Sequence, residues 1–252
     1  MKFGIELGFQ LPRPWAQESE AELYESRLNI AELADQLGFD SLWVEEHHFL
    51  EEYCHLSSPE VFLAACTQRT TQIRLGFGVM LLPPMINNPV RSAEKVAALD
   101  LLSKGRVEFG VGSSSDRLGT TAWGLDWERR QEITEEVLGQ VARMMVEEPY
   151  RGYDGTDFSF PTRNIIPKPQ QKPHPPLWWA CSHRESILKA ARLGIGALSF
   201  SFTDLDTTQQ WVNAYRETLR REAVPIGSSI NPNLSVLSRL ICCSTESEAK
   251  RI

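Results

Sequence analysis

Two acids and two histidines, Glu45-Glu46-His47-His48, follow directly on a short apolar run, Ser41 to Val44. Imidazole changes charge near neutral pH, so a histidine among carboxylates suits general acid–base chemistry. The same residues could be plain loop polar groups or metal ligands. A metal needs further ligands at workable spacing, and Cys54 and His55 are adjacent rather than spaced as zinc ligands are. No metal is expected. General base and ordinary loop structure both stay open on the residues alone.

A second cluster is Gly110-Val111-Gly112-Ser113-Ser114-Ser115. Glycines let a backbone approach a planar or anionic ligand, and turn N–H groups can cradle an anion. A flexible turn without a ligand reads equally well. Ser182 precedes a helix expected to begin near Arg184, where a hydroxyl and free N–H groups could hold a phosphate. A simple helix cap is the blander alternative. Trp178 and Trp179 sit in a strand pattern and are read as core.

Strand and helix patterns alternate around these residues. Strands are expected at Phe3–Phe9, Ser41–Glu45, Ile73–Leu81, Arg106–Val111, Leu177–Cys181, Ala197–Phe202 and Leu234–Cys243. Helices are expected at Glu20–Leu37, Ser58–Ala65, Asn88–Leu102, Glu128–Glu147, Arg184–Leu193 and Asp206–Glu222. Ser58-Pro59 and Asn88-Pro89 are helix starts, and Gly38, Gly105 and Gly194 are stops. Thr245 and Glu248 have capping-box spacing. Strands that each lead into a helix imply parallel pairing through right-handed crossovers, and hence an α/β barrel. No G-x-G-x-x-G follows the first strand, so a dinucleotide fold has little support. In such barrels chemistry collects at the C-terminal strand ends, where these clusters lie. Residues 150–176, rich in proline, glycine and aromatics, read as an excursion with a small hairpin. Whether it gates substrate or lids the barrel stays open.

The chain of 252 residues suits one barrel domain. A net charge of −7 argues against nucleic acid or anionic membranes as partners. Five cysteines, an odd number without a C-x-x-C pair, argue against a disulfide framework. With no secretory leader and no bilayer-length apolar run, a cytoplasmic location is expected.

The stretch Gly38-Phe39-Asp40-Ser41-Leu42-Trp43-Val44-Glu45-Glu46-His47-His48-Phe49 resembles the bacterial-luciferase-like monooxygenases. So do Asn88-Pro89-Val90-Arg91, the run Leu99 to Gly112, and Ala190-Ala191-Arg192-Leu193-Gly194. Together, in this order, they cover nearly all of the chain. The resemblance implies a (β/α)8 barrel that binds reduced FMN at its C-terminal mouth. It implies delivery of that FMN by a separate NAD(P)H:flavin reductase. Reaction with O2 would give a C4a-peroxyflavin that oxygenates a small organic substrate. It assigns His47 as catalytic base, with Glu46 beside it. Gly78 and Val79 would be joined by a cis peptide against the flavin ring, with Phe200 next to it and Ser182 at its phosphate.

Gly112 and Ser113 stand where luciferase has cysteine and arginine, so the cofactor's phosphate needs another cation, for which Arg117 is the choice. Cys181 replaces an acidic residue. Leu81, Leu82, Met85 and Ile86 could wall the site from water. The alternatives on this scaffold are an F420-dependent hydride-transferring oxidoreductase and a flavin binder without turnover. The eighth strand is missing from the chain as given. A longer parent protein, or closure by a homo- or heterodimer, would account for that.

Overall fold

The computed structural model describes residues 1–200, 203–238 and 241–251. The first half runs β1 (Gly4–Leu7), α1 (Ser19–Gln36), β2 (Ser41–Val44), α2 (Pro59–Arg69), β3 (Arg74–Phe77), β4 (Met80–Leu81), α3 (Pro89–Leu102) and β5 (Val107–Gly112). There follow α4 (Arg117–Ala122), α5 (Arg130–Val146), β6 (Tyr153–Asp154), β7 (Ser159–Phe160), β8 (Leu177–Cys181), α6 (Arg184–Arg192), β9 (Gly196–Ser199), α7 (Leu205–Glu222), β10 (Leu234–Val236) and α8 (Glu246–Ala249). The main sheet has the order β1-β2-β3-β5-β8-β9-β10, with β4 also on β5. Its pairings are all parallel. Among the described residues it is an open α/β barrel wall with edges at β1 and β10.

Period-two alternation sets the two faces. Leu7, Leu42, Val44, Leu75, Phe77, Phe109, Val111, Trp179, Cys181 and Ala197 are buried with the helices' apolar stripes. Ile133, Val137, Val141 and Met144 of α5 are such a stripe, all buried. The other face carries Glu6, Trp43, Gly76, Glu108, Trp178 and Gly196 at matching registers. A Cβ on Gly76 would lie 2.2 Å from the Trp43 ring, and one on Gly196 2.3 Å from Trp178. These glycines therefore make room for the two indoles, which meet edge to face at 5.4 Å. Their strands are three places apart, about 14 Å in a flat sheet. Contact between them means that the sheet curls, with this face as the barrel interior.

The floor of that interior is polar and fully connected. Trp178 Nε1 donates to Glu108 Oε2 at 2.7 Å, and Arg74 pairs with the other Glu108 oxygen. Arg74 also donates to Gln171 Oε1 at 2.9 Å, and Gln171 in turn donates to Asp100 and to the Val107 carbonyl. Gln171 belongs to the 150–176 excursion, whose end thus closes the N-terminal end of the strands. Its hairpin reaches elsewhere: Asp157 pairs with Arg129 at the start of α5. Its hairpin is the antiparallel β6–β7 pair.

Several expectations need correction. The third strand is not continuous: it breaks at Gly78–Val79, a cis peptide, into β3 and β4. The seventh is shorter than Leu234–Cys243, ending at Val236, and Arg239 and Leu240 lie outside the described residues. The end of the sixth, Ser201 and Phe202, lies outside them too. Helix α4 is unanticipated. Asn88 caps α3 through Val90 and Arg91, whereas Ser58 makes no side-chain cap to α2. Thr245 accepts from the Glu248 N–H, but the Glu248 carboxylate takes the Ser244 hydroxyl instead of completing a box. In α7, Tyr215 is buried while Trp211 and Leu219 are only half-buried.

Candidate active site at the strand ends

Strand β2 delivers His47 to the mouth and a compact loop fixes it there. Gly78 N–H donates to the Val44 carbonyl at 2.7 Å, and His47 N–H to the Leu56 carbonyl at 3.2 Å. The imidazole is edge-on to Tyr53, centroids 5.4 Å apart. Its Nε2 lies 3.5 Å from Glu45 Oε2. Glu45 is 8% exposed, and its Oε1 has no hydrogen-bond partner among the described residues.

Glu46, next in sequence, faces a different task. Its Oε2 accepts from the Leu81 N–H at 2.8 Å. Its Oε1 accepts from Asn87 Nδ2 at 2.8 Å and lies 3.0 Å from His48 Nε2. A carboxylate only accepts, so His48 carries its hydrogen on that nitrogen. Glu46 thus ties the second strand's loop to β4 and to the turn before α3.

The interior face at the mouth is lined by small residues. A Cβ on Gly112 would lie 2.6 Å from Val79 Cγ2 and 3.5 Å from the Ala180 Cβ. Gly78, Val79, Gly112 and Ala180 therefore adjoin, with the Val79 side chain against Gly112 and the Trp43 side chain against Gly78. Phe200, half-buried, continues this face at the end of β9, where its N–H donates to the Cys181 carbonyl at 2.9 Å. Ser113 and Ser182 follow β5 and β8 directly. Ser182 is not the helix cap: His183 caps α6 in a capping box with Ser186. Arg117 opens α4, exposed, with its guanidinium 5.9 Å from the Trp127 ring.

Beside this face, His47, His48, Leu81 and Ile86 meet Ser114, Asp116, Gly119, Thr120 and Trp123 around a cleft. It encloses about 10 Å³, room for about one water. Trp123 closes it, edge-on to His48 at 5.4 Å. Of the expected apolar wall, Leu81 and Ile86 line the cleft, Leu82 is in the core and Met85 is 39% exposed.

The mouth beneath His47 is acid-rich. Burial, and then the nearby Glu45 charge, push Glu6 up to about 7. Burial first and Glu45 second push Cys54 to about 12, so its thiol is a poor nucleophile. Tyr53 is also raised, by burial and then by Glu45 and Glu6. Among the described residues no cluster of His, Cys, Asp or Glu could hold a metal ion. None of the described helices is long and apolar enough to cross a membrane.

A family model described as "Luciferase-like monooxygenase" matches residues 1–252. This chain belongs to the luciferase-like monooxygenase family. An uncharacterized Sinorhizobium fredii protein is 37% identical over 180 residues, covering 69% of this chain and 50% of that one. The oxygenase component of a flavin-dependent trigonelline monooxygenase from Acinetobacter baylyi is 27% identical over 170 residues, 65% of this chain and 45% of that one. The crystal structure of monooxygenase RslO1 from Streptomyces bottropensis superposes with a TM-score of 0.79 at 32% identity, covering 89% of this chain and 68% of that one. The chain thus spans about half the length of these two curated relatives.

For this luciferase-like chain, the predicted residues fall into two groups. His47, Gly78, Val79 and Gly112 gather at one mouth. Arg117 packs on Trp127, and Glu46 serves as a tether. Sequence reasoning missed Glu6, the separate role of Glu45, and Trp123 with Asp116. The Gly4-x-Glu6-x-Gly8 alternation was a readable sign that Glu6 faces the interior.

Proposed function

We propose that the chain forms the cofactor mouth of a flavin-dependent monooxygenase, with His47 as its general base. One observation carries the reading: the small residues Gly78, Val79, Gly112 and Ala180 adjoin one another at the strand ends where β2 delivers a fixed imidazole. A flat ring needs such a floor, and a Cβ at Gly112 would already strike Val79. Gly78, Val79 and Gly112 would hold the ring, with Phe200 beside it. Ser113, Ser182 and, after turning from Trp127, Arg117 would hold the phosphate of FMN. Reduced FMN, when bound, supplies the electrons that activate O2.

The chain's own residues do the rest. His47 moves a proton at the reacting atom, the usual work of an imidazole near neutral pH. Glu46 positions the β4 backbone. Leu81, Ile86 and Trp123 exclude water. The substrate is a small organic molecule, and a separate NAD(P)H:flavin reductase supplies the reduced cofactor. The name of the trigonelline relative, an oxygenase component, supports that division of labour.

Anaerobic titration tests the cofactor: reduced FMN is expected to bind and reduced F420 to bind far more weakly. Tight binding of F420 alone would replace oxygenation with hydride transfer. A substrate screen with reduced FMN and O2 then reads oxygenated product against H2O2. His47→Ala is expected to keep FMN binding and lower product formation by about 10²-fold or more. Unchanged turnover removes His47 from the mechanism.

A further inference from the structure

Glu45 and Glu6 have no part in the reading above, yet Glu45 lies against its central residue and Glu6 shares the interior face below it. Glu45 is among the most buried acids of the mouth, and among the described residues its Oε1 meets no nitrogen or hydroxyl donor, only the Cys54 thiol lying against the carboxylate. A buried carboxylate oxygen with so little around it can accept one more hydrogen bond. The imidazole of His47 is the proton source beside its other oxygen, at 3.5 Å. A shift of about half an ångström brings that pair to hydrogen-bond length. Strand register places Glu6 opposite Trp43, on the same interior face as Glu45 and one pleat below it.

We propose that Glu45 and Glu6 form a paired carboxyl relay for His47, in which Glu45 takes the proton that the imidazole gains and Glu6 shares it. The relay rests on the base role proposed for His47. In the step itself the Nε2–H bond of the imidazolium breaks and an O–H bond forms on Glu45. His47 returns to neutral, and two carboxylates become one carboxylate and one carboxylic acid. No electrons change hands. Two acids in one site titrate as a pair, the first proton binding more tightly than to either alone. Burial and the Glu45 charge already bring Glu6 to about 7, within imidazole's range.

Other groups around the pair do not neutralise it. The loop supplies Tyr53 and Cys54, both raised first by burial and then by Glu45, and so neutral. From α1 come Tyr24, raised by burial and Cys54, and Glu20, which is held by His55 at 2.8 Å. Arg27 of α1 donates its Nε to the Gly8 carbonyl at 2.6 Å. Glu45 and Glu6 are therefore positioning residues that act through His47.

The test is a titration of the ¹⁵N-labelled histidine rings by NMR from about pH 5 to about pH 9. His47 is assigned by its loss in His47→Ala. In the native chain its curve should be biphasic, as a coupled site gives. In Glu45→Gln the curve should become a single step displaced to lower pH, and Glu6→Gln should remove the second phase. Superimposable curves in the native chain and both variants would overturn the relay. Should Glu45→Gln fail to fold, Glu6→Gln decides alone. A second readout is the pH dependence of H2O2 release when the reduced-FMN complex meets O2, where Glu45→Gln should lose a limb of the profile while FMN affinity holds. A chain that does not bind reduced FMN defeats the proposed function, and the histidine titration still judges the relay.

Discussion

Glu45 and Glu46 are consecutive and chemically alike, yet their surroundings divide them. Both Glu46 oxygens are engaged, by the Leu81 N–H, Asn87 and His48. Glu45 has one oxygen near His47, and among the described residues its other oxygen meets no nitrogen or hydroxyl donor. Glu46→Ala would strand the buried Leu81 N–H, a loss of about 1–3 kcal/mol. The expected outcome is a lower urea midpoint with a loosened mouth. Native stability together with lost turnover would return Glu46 to the chemistry. Sequence gave the histidine pair and the glycines because their types are chemically restricted. It could not divide the two acids, since that depends on which faces the interior and which faces β4. It also left Ser182 open as either a phosphate site or the α6 cap; extended backbone and a capping box with Ser186 make His183 the cap.

At the level of elements, local signals were legible wherever they had a local cause. Asn88 accepts from the Val90 and Arg91 N–H groups at 3.1 and 3.3 Å, as the Asn-Pro start of α3 predicts. Asn88→Ala should cost about 1 kcal/mol by loss of that cap, read as a shift in the denaturation midpoint. No change would mean that Pro89 alone sets the start. What escaped were elements with weak helix formers or with distant partners. Helix α4 is six residues long and contains Gly119 and two threonines, poor helix formers. Asp116 makes it by accepting from the Leu118 and Gly119 N–H groups, and Gly119 allows its close approach to the His48 carbonyl. The excursion was recognisable by composition. Its place at the barrel floor depends on Gln171 reaching Asp100 and Val107, a contact no local pattern announces.

Across the molecule, a half-buried acid and a buried histidine of opposite habit contribute to the pH dependence of stability. Glu6 binds its proton more tightly folded than unfolded, because burial and Glu45 raise it to about 7. Its contribution is present at low pH and is lost as pH rises from the ordinary glutamate range through about 7. His174 runs the other way. It is buried, Nδ1 donates to the Pro175 carbonyl, and Nε2 accepts from the Ser228 N–H. Burial lowers its pKa, so its contribution is full above the unfolded value of about 6.5 and is lost as pH falls through the folded one. Glu6→Gln should therefore stabilise the chain more at about pH 8 than at about pH 5, in paired urea titrations. Equal effects at both would contradict the burial of that carboxyl. The barrel class was legible from the alternation of strands and helices. Its curl was not, since that comes from Gly76 and Gly196 admitting Trp43 and Trp178 to one interior.

A crystal structure of the chain soaked anaerobically with reduced FMN reads the site directly. The isoalloxazine should lie on Val79 and Gly112 with the His47 imidazole at its edge. A flavin bound elsewhere, or a mouth that stays shut around His47 at saturating FMN, would contradict that assignment.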